Sequence, residues 1–183
     1  ERMGILDDTI IVYAGDNGHF FGEHGLYDKR LAYEESIRIP FFVRYPGLVK
    51  NPGRRVQDMV LNIDLAPTLL DAAGIPVPSY MQGRSAVPLL KNRKPHWRSS
   101  FLYEHFPVFP IPIPGITSVR TDRYKYITYQ NNVRPPELFD LEKDPGEKKN
   151  IIKKETGKKV LPGLKKELER LKADTGYRFY THG

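Results

Sequence analysis

The chain has 183 residues, 39% hydrophobic and 28% charged, with 16 prolines and 15 glycines, enough for one good core and many loops. No apolar run reaches the ~18–20 residues that cross a bilayer as a helix, and no basic–apolar–small leader pattern is present. Cysteine is absent, which excludes a disulfide scaffold, a thiolate metal site and a cysteine nucleophile within this chain. The net charge of +7 is local: Lys148 to Lys172 carries ten Lys/Arg against three Glu, and the remainder balances at nineteen of each sign. The opening Glu1-Arg2-Met3-Gly4 leads almost at once into a strand-like run. The chain is therefore expected to be a piece of a longer one.

In chain order, Thr9–Ala14 is β-branched and apolar on both faces, the pattern of a buried parallel strand. Gly15-Asp16-Asn17-Gly18 breaks it, and a loop rich in glycine and histidine runs on to Lys29. Ile39–Tyr45 reads as a second strand ended by Pro46-Gly47, and Asp58–Leu61 as a short third. The clearest helix is Asp64–Gly74, with Asp64 as N-cap, Pro67 in the first turn, Gly74 as the stop, and Leu65, Leu69 and Ala72/Ala73 on one face. After about residue 95 the texture changes. Ser99–His105, Thr117–Arg120, Tyr124–Tyr129 and Glu137–Leu141 read as hairpin-linked strands. A stiff Pro-rich loop lies at Pro107–Pro114, and Leu164, Leu168 and Leu171 give a helix over Leu161–Leu171.

The chemistry concentrates between Asp16 and Glu34. Asp16 and Asn17 are adjacent oxygen donors just past a strand end, where α/β sheets place their ligands. A carboxylate and an amide oxygen suit a hard divalent cation. Taken alone, Asp-Asn-Gly reads first as an Asx turn. The residues downstream shift that balance: Gly22-Glu23-His24-Gly25, then Lys29, Tyr33-Glu34 and Arg38-Ile39-Pro40-Phe41.

That order resembles the second half of the sulfatase family, within the alkaline-phosphatase-like superfamily. Further matches are Asp64–Leu70 with Ala73-Gly74-Ile75, Gln82-Gly83-Arg84-Ser85 with Pro88-Leu89-Leu90, Val119–Ile127, and Glu137–Pro145. The resemblance runs from about Asp7 to Leu171. It implies an α/β fold: residues 1–95 as the later part of a mixed sheet with flanking helices, and 96–183 as a small antiparallel sheet carrying one helix. It further implies that Asp16 and Asn17 are metal ligands, usually for calcium, and that Lys29 contacts the substrate sulfate. A cation and an ammonium aimed at sulfate oxygens stabilise charge that grows as the ester bond breaks. His24 can donate to sulfate, protonate a leaving alkoxide, or fix the loop by hydrogen bonding. His19 and His105 are candidate substrate contacts; Glu23 and Glu34 read as loop-ordering groups.

The family's nucleophile is a formylglycine made from Cys or Ser in a Cys/Ser-x-Pro-x-Arg motif, and that motif does not occur here. The chain alone is expected to be inactive, and the missing N-terminal half of the fold to complete it. The implied whole is a sulfuric ester hydrolase acting on sulfate esters, with sulfated glycans the best-matching branch, in a periplasmic, secreted or lysosomal setting. Two alternatives stand beside it: a phosphoesterase or phosphonate monoester hydrolase of the same superfamily, and a non-enzymatic basic module that binds polyanions through Lys148–Lys172. The leucine stripe favours a packed helix with a solvated lysine face, and no nucleic-acid partner is expected.

Overall fold

The structure is a computed structural model that describes residues 2–107 and 113–178. In chain order its strands are β1 (Ile11–Ala14), β2 (Phe20–Phe21), β3 (Tyr27–Asp28) and, after the short helix α1 (Glu34–Ile37), β4 (Phe41–Arg44). Helices α2 (Leu65–Ala72) and α3 (Val87–Leu90) follow. Strands β5 (Ser100–His105), β6 (Ile116–Thr121), β7 (Tyr124–Tyr129) and β8 (Glu137–Asp140) precede the long helix α4 (Glu155–Thr175). Residues 108–112 of the Pro-rich loop lie outside the described residues. The chain divides into two compact units: residues up to Asp16 together with Ile39–Arg98, and Asn17–Arg38 together with residues from Ser99 on.

In the first unit β1 pairs antiparallel with β4, Ile11 opposite Arg44 and Ala14 opposite Phe41. The parallel strand expected at Thr9–Ala14 is corrected: an apolar run does not specify the direction of its partner. One face of this ribbon, with Val12 and Val43, shares a small apolar cavity with Leu65, Thr68, Leu69 and Ala72 of α2. The other face, with Tyr13 and Phe42 each 66% exposed, is open. Asp58–Leu61 is not a strand; a 3₁₀ turn at Asn62–Asp64 follows it directly. Helix α2 starts at Leu65 with Asp64 at the N-cap position, as expected, and ends at Ala72 just ahead of Gly74, whose φ of +72° few side chains tolerate.

Asp64 does not cap α2 with its side chain. Its buried carboxylate accepts the Leu61 and Arg84 backbone N–H groups at 2.8 and 2.7 Å and both terminal nitrogens of Arg98, at 2.5 and 2.7 Å. The side chain that sequence assigns to one helix end thus ties three segments of this unit together.

In the second unit β5–β8 form one antiparallel sheet in sequence order. The register alternates side chains between two faces. Ile116, Ile127, Tyr129 and Phe139 point to one face and pack on Phe20, Leu31, Ala32 and Tyr33 of the 17–38 segment. Val119, Tyr126 and Leu138 point to the other and pack on Leu164, Leu168 and Leu171 of α4. Each fully buried side chain of this kind contributes about 1.5–3 kcal/mol. α4 runs longer than the expected Leu161–Leu171 and passes through Pro162. Gly157 permits its start: a Cβ there would sit 1.9 Å from the Ile151 carbonyl oxygen.

Candidate active-site loop

Every candidate residue except Asp16 belongs to the second unit, and the peptide bond between Asp16 and Asn17 is where the first unit ends. Asp16 is exposed and Asn17 half-buried. Asn17 Nδ2 donates to the Gly18 carbonyl at 2.8 Å, which sets the orientation of its amide. Gly18 N–H donates to the Ser36 carbonyl at 2.8 Å, and a Cβ on Gly18 would lie 2.0 Å from the Glu35 carbonyl oxygen. The turn therefore sits directly on the backbone of α1, and only glycine fits there.

The histidines and Lys29 fall into two groups. In the first, the His19 ring lies 4.6 Å from Phe21 and 4.9 Å from Tyr27 across the β2–β3 hairpin. Beside it, Arg30 Nε donates to Asp28 at 2.9 Å. The Asp28 carboxyl is held below its ordinary range by that bond first, with the charges of Arg30 and Lys29 adding to it. Lys29 itself is exposed. His105, at the end of β5, is half-buried; burial lowers its pKa first, and nearby Arg30 lowers it further. Both effects favour the neutral imidazole.

The second group is built around His24. Its backbone is left-handed, φ 55°, between Gly22 and Gly25. Its ring stacks on Tyr33 at 4.1 Å and 10°, and its Nε2 lies 3.4 Å from Glu35 Oε2. One ring nitrogen thus faces a carboxylate of the same unit. Glu23 accepts the Phe21 N–H at 2.6 Å, which lowers its pKa and orders the hairpin end.

Beneath the loop lies a feature that sequence reading passed over. Lys125, fully buried in β7, places Nζ 2.8 Å from Glu34 Oε1 and 2.9 Å from Glu147 Oε1. Glu147 Oε2 accepts the Glu34 N–H at 2.6 Å, and Arg120 Nε lies 3.5 Å from Glu34. Burial pushes the Glu34 carboxyl up, but Lys125 and Arg120 outweigh it and hold it below the usual range. Burial dominates at Glu147, which is pushed up. Close by, Tyr33 and Tyr129 both donate to Glu137, and burial together with that carboxylate raises both phenols. A signal for Lys125 exists in the sequence: period-two alternation puts it on the same face as Ile127 and Tyr129. Glu35, which faces His24, and Arg30, which acts on His105, carry no local signal.

Asp16 and Asn17 supply oxygen donors of the type a hard cation takes, and the amide of Asn17 is already oriented. Among the described residues no group of three or more His, Cys, Asp or Glu could hold a metal ion. Two donors are short of the roughly six to eight that calcium takes, so the pair fits as part of a coordination shell.

The mixed α/β architecture, with its antiparallel sheet backed by α4, matches that of alkaline-phosphatase-like proteins of known structure. With BT4656 in complex with its substrate D-glucosamine-2-N,6-O-disulfate the TM-score is 0.90 at 37% identity, over 96% of this chain and 36% of that one. With the phosphonate monoester hydrolase of Agrobacterium radiobacter it is 0.84 at 27% identity, over 95% and 37%. The chain belongs to the sulfatase family: residues 22–174 match the family described as N-sulphoglucosamine sulphohydrolase, C-terminal. It is 40% identical over 180 residues to the N-acetylglucosamine-6-O-sulfatase of Bacteroides thetaiotaomicron, covering 96% of this chain and 31% of that protein. The chain thus spans about a third of the length of that relative. No described helix is long and apolar enough to cross a membrane.

Proposed function

We propose that this chain is part of a sulfatase that hydrolyses sulfate esters of sulfated carbohydrates. The observation that carries the reading is the 40% identity, across almost the whole chain, to an N-acetylglucosamine-6-O-sulfatase. Asp16 and Asn17 would hold a divalent cation, Ca²⁺, together with donors from outside this chain. Such a cation polarises sulfate oxygens, and a formylglycine outside this chain supplies the attacking group. Lys29 directs its ammonium to the same oxygens and stabilises the charge that grows on them in the transition state. His19 and His105 contact the sugar, His105 as a neutral donor or acceptor. His24, with Nε2 facing Glu35, has Nδ1 for substrate or for a proton to the leaving alkoxide. The setting is periplasmic, secreted or lysosomal.

The phosphonate monoester hydrolase reading draws on the second structural likeness and ranks lower, because identity falls to 27%. The polyanion-binding reading is weakened by the pairs along α4: Lys158 with Glu155, Arg170 with Glu167 and Asp174, and Lys172 with Glu169. The test is sulfate release from N-acetylglucosamine 6-O-sulfate by the whole enzyme. Lys29→Ala is expected to lower kcat/KM by about 10²-fold, the usual effect of losing one charge-stabilising donor. Equal turnover by wild type, Lys29→Ala and Asn17→Ala would overturn the assignment.

A further inference from the structure

We infer that Lys125 is a positioning residue for Asn17, acting through Glu34 and helix α1; the inference rests on the metal-ligand role proposed for Asn17. Lys125 lies within Tyr124–Tyr129, which the sequence reads only as a strand. Its side chain is 0% exposed, and all its charge is directed at Glu34 and Glu147. Glu34 is held twice, by its carboxylate on Lys125 and by its backbone N–H on Glu147. It is the first residue of α1.

The next two residues of α1 carry the constraint forward. The Ser36 carbonyl accepts the Gly18 N–H at 2.8 Å, and Gly18 has no space for even one more carbon beside the Glu35 carbonyl. The Glu35 carboxylate lies 3.4 Å from His24 Nε2. A shift of α1 therefore moves the backbone next to Asn17 and the partner of His24 together. Apolar residues of similar volume in place of Lys125, Glu34 and Glu147 together would serve stability about as well as the buried ion cluster. What the cluster adds is directional: it fixes where Glu34 sits on the sheet. Groups bonded directly to a metal ligand commonly change the metal's affinity by about 10- to 100-fold, and Glu34, which reaches Asn17 through α1 and Gly18, is expected at the low end of that range.

The experiment uses the whole enzyme and measures Ca²⁺ affinity by titration alongside kcat and KM. The variants are Asn17→Ala, Lys125→Met, Glu34→Gln, and Asn17→Ala combined with Glu34→Gln. Glu34→Gln, which keeps the side-chain shape, is expected to weaken Ca²⁺ about tenfold and to lower kcat more than it raises KM. The double variant is expected to bind Ca²⁺ no more weakly than Asn17→Ala alone, because both act on one ligand. If Lys125→Met does not fold, Glu34→Gln decides. Wild-type Ca²⁺ affinity in Glu34→Gln, or additive losses in the double variant, would reduce Lys125 to a structural residue and overturn the inference. Unchanged Ca²⁺ affinity in Asn17→Ala would instead remove the ligand role of Asn17, and the inference with it.

Discussion

The two units solve the same problem, burying one or two apolar sheet faces, to different extents. In the second, the four-stranded sheet is covered on both faces, by the 17–38 segment and by α4. In the first, the β1–β4 ribbon meets α2 on one face only, and Tyr13 and Phe42 face solvent. Each unit also carries one buried ionic tie. Asp64 and Arg98 form a fork with backbone support, whereas Lys125 joins two carboxylates from distant segments. The difference shows where the order resides: the segment bearing Asn17, His19, His24 and Lys29 is placed by the better-covered sheet.

The contrast between the units is most readily broken at Lys125. Lys125→Met leaves two buried carboxylates without their ammonium and is expected to cost about 3–5 kcal/mol, read from denaturant unfolding. Leu138→Ala, at a position with 0% exposure between the sheet and α4, should cost about 3 kcal/mol. Asp64→Asn keeps part of the backbone hydrogen bonding but removes the charge facing Arg98. A loss of about 2 kcal/mol is expected there. A loss from Asp64→Asn larger than that from Lys125→Met would invert the ranking of the two ties.

Two smaller effects sharpen the contrast. The Glu167 carboxyl accepts from Arg170 and from Ser100, and is lowered from 4.5 to about 2, Arg170 being the main cause. Because the folded value lies below the unfolded one, its stabilisation is full above pH 4.5 and disappears as pH falls toward about 2. The pair is partly solvated, so Glu167→Gln should cost under about 1 kcal/mol at pH 7 and nothing near pH 2. Phe42→Ala, on the open face of the ribbon, should change the stability of this chain by less than about 0.5 kcal/mol. A loss like that of Leu138→Ala would show that the face is covered.

The hairpin series β5–β8 and the leucine stripe of α4 were legible because local alternation and helical spacing carry them. The motif order around Asp16, Asn17 and Lys29 was legible as a resemblance. The direction of β1 was not, because its partner β4 lies beyond a loop and pairing is a long-range choice. Nor was the destination of the 17–38 segment, whose Phe20 and Tyr33 meet Ile127 and Phe139 about a hundred residues on. Asp64 misled for a similar reason: as an N-cap it is locally sufficient, and only the tertiary fold brings Arg98 and Arg84 to its carboxylate. Lys125 was visible as strand alternation, but a lysine on a core face reads as an error until Glu34 and Glu147 are placed around it.

The most direct test is the selectivity of the whole enzyme: kcat/KM for N-acetylglucosamine 6-O-sulfate against kcat/KM for a phosphonate monoester, on one preparation. The sulfate ester is expected to be turned over the faster, and Lys29→Ala to lower that rate most. Faster turnover of the phosphonate, with the sulfate ester untouched, would contradict it.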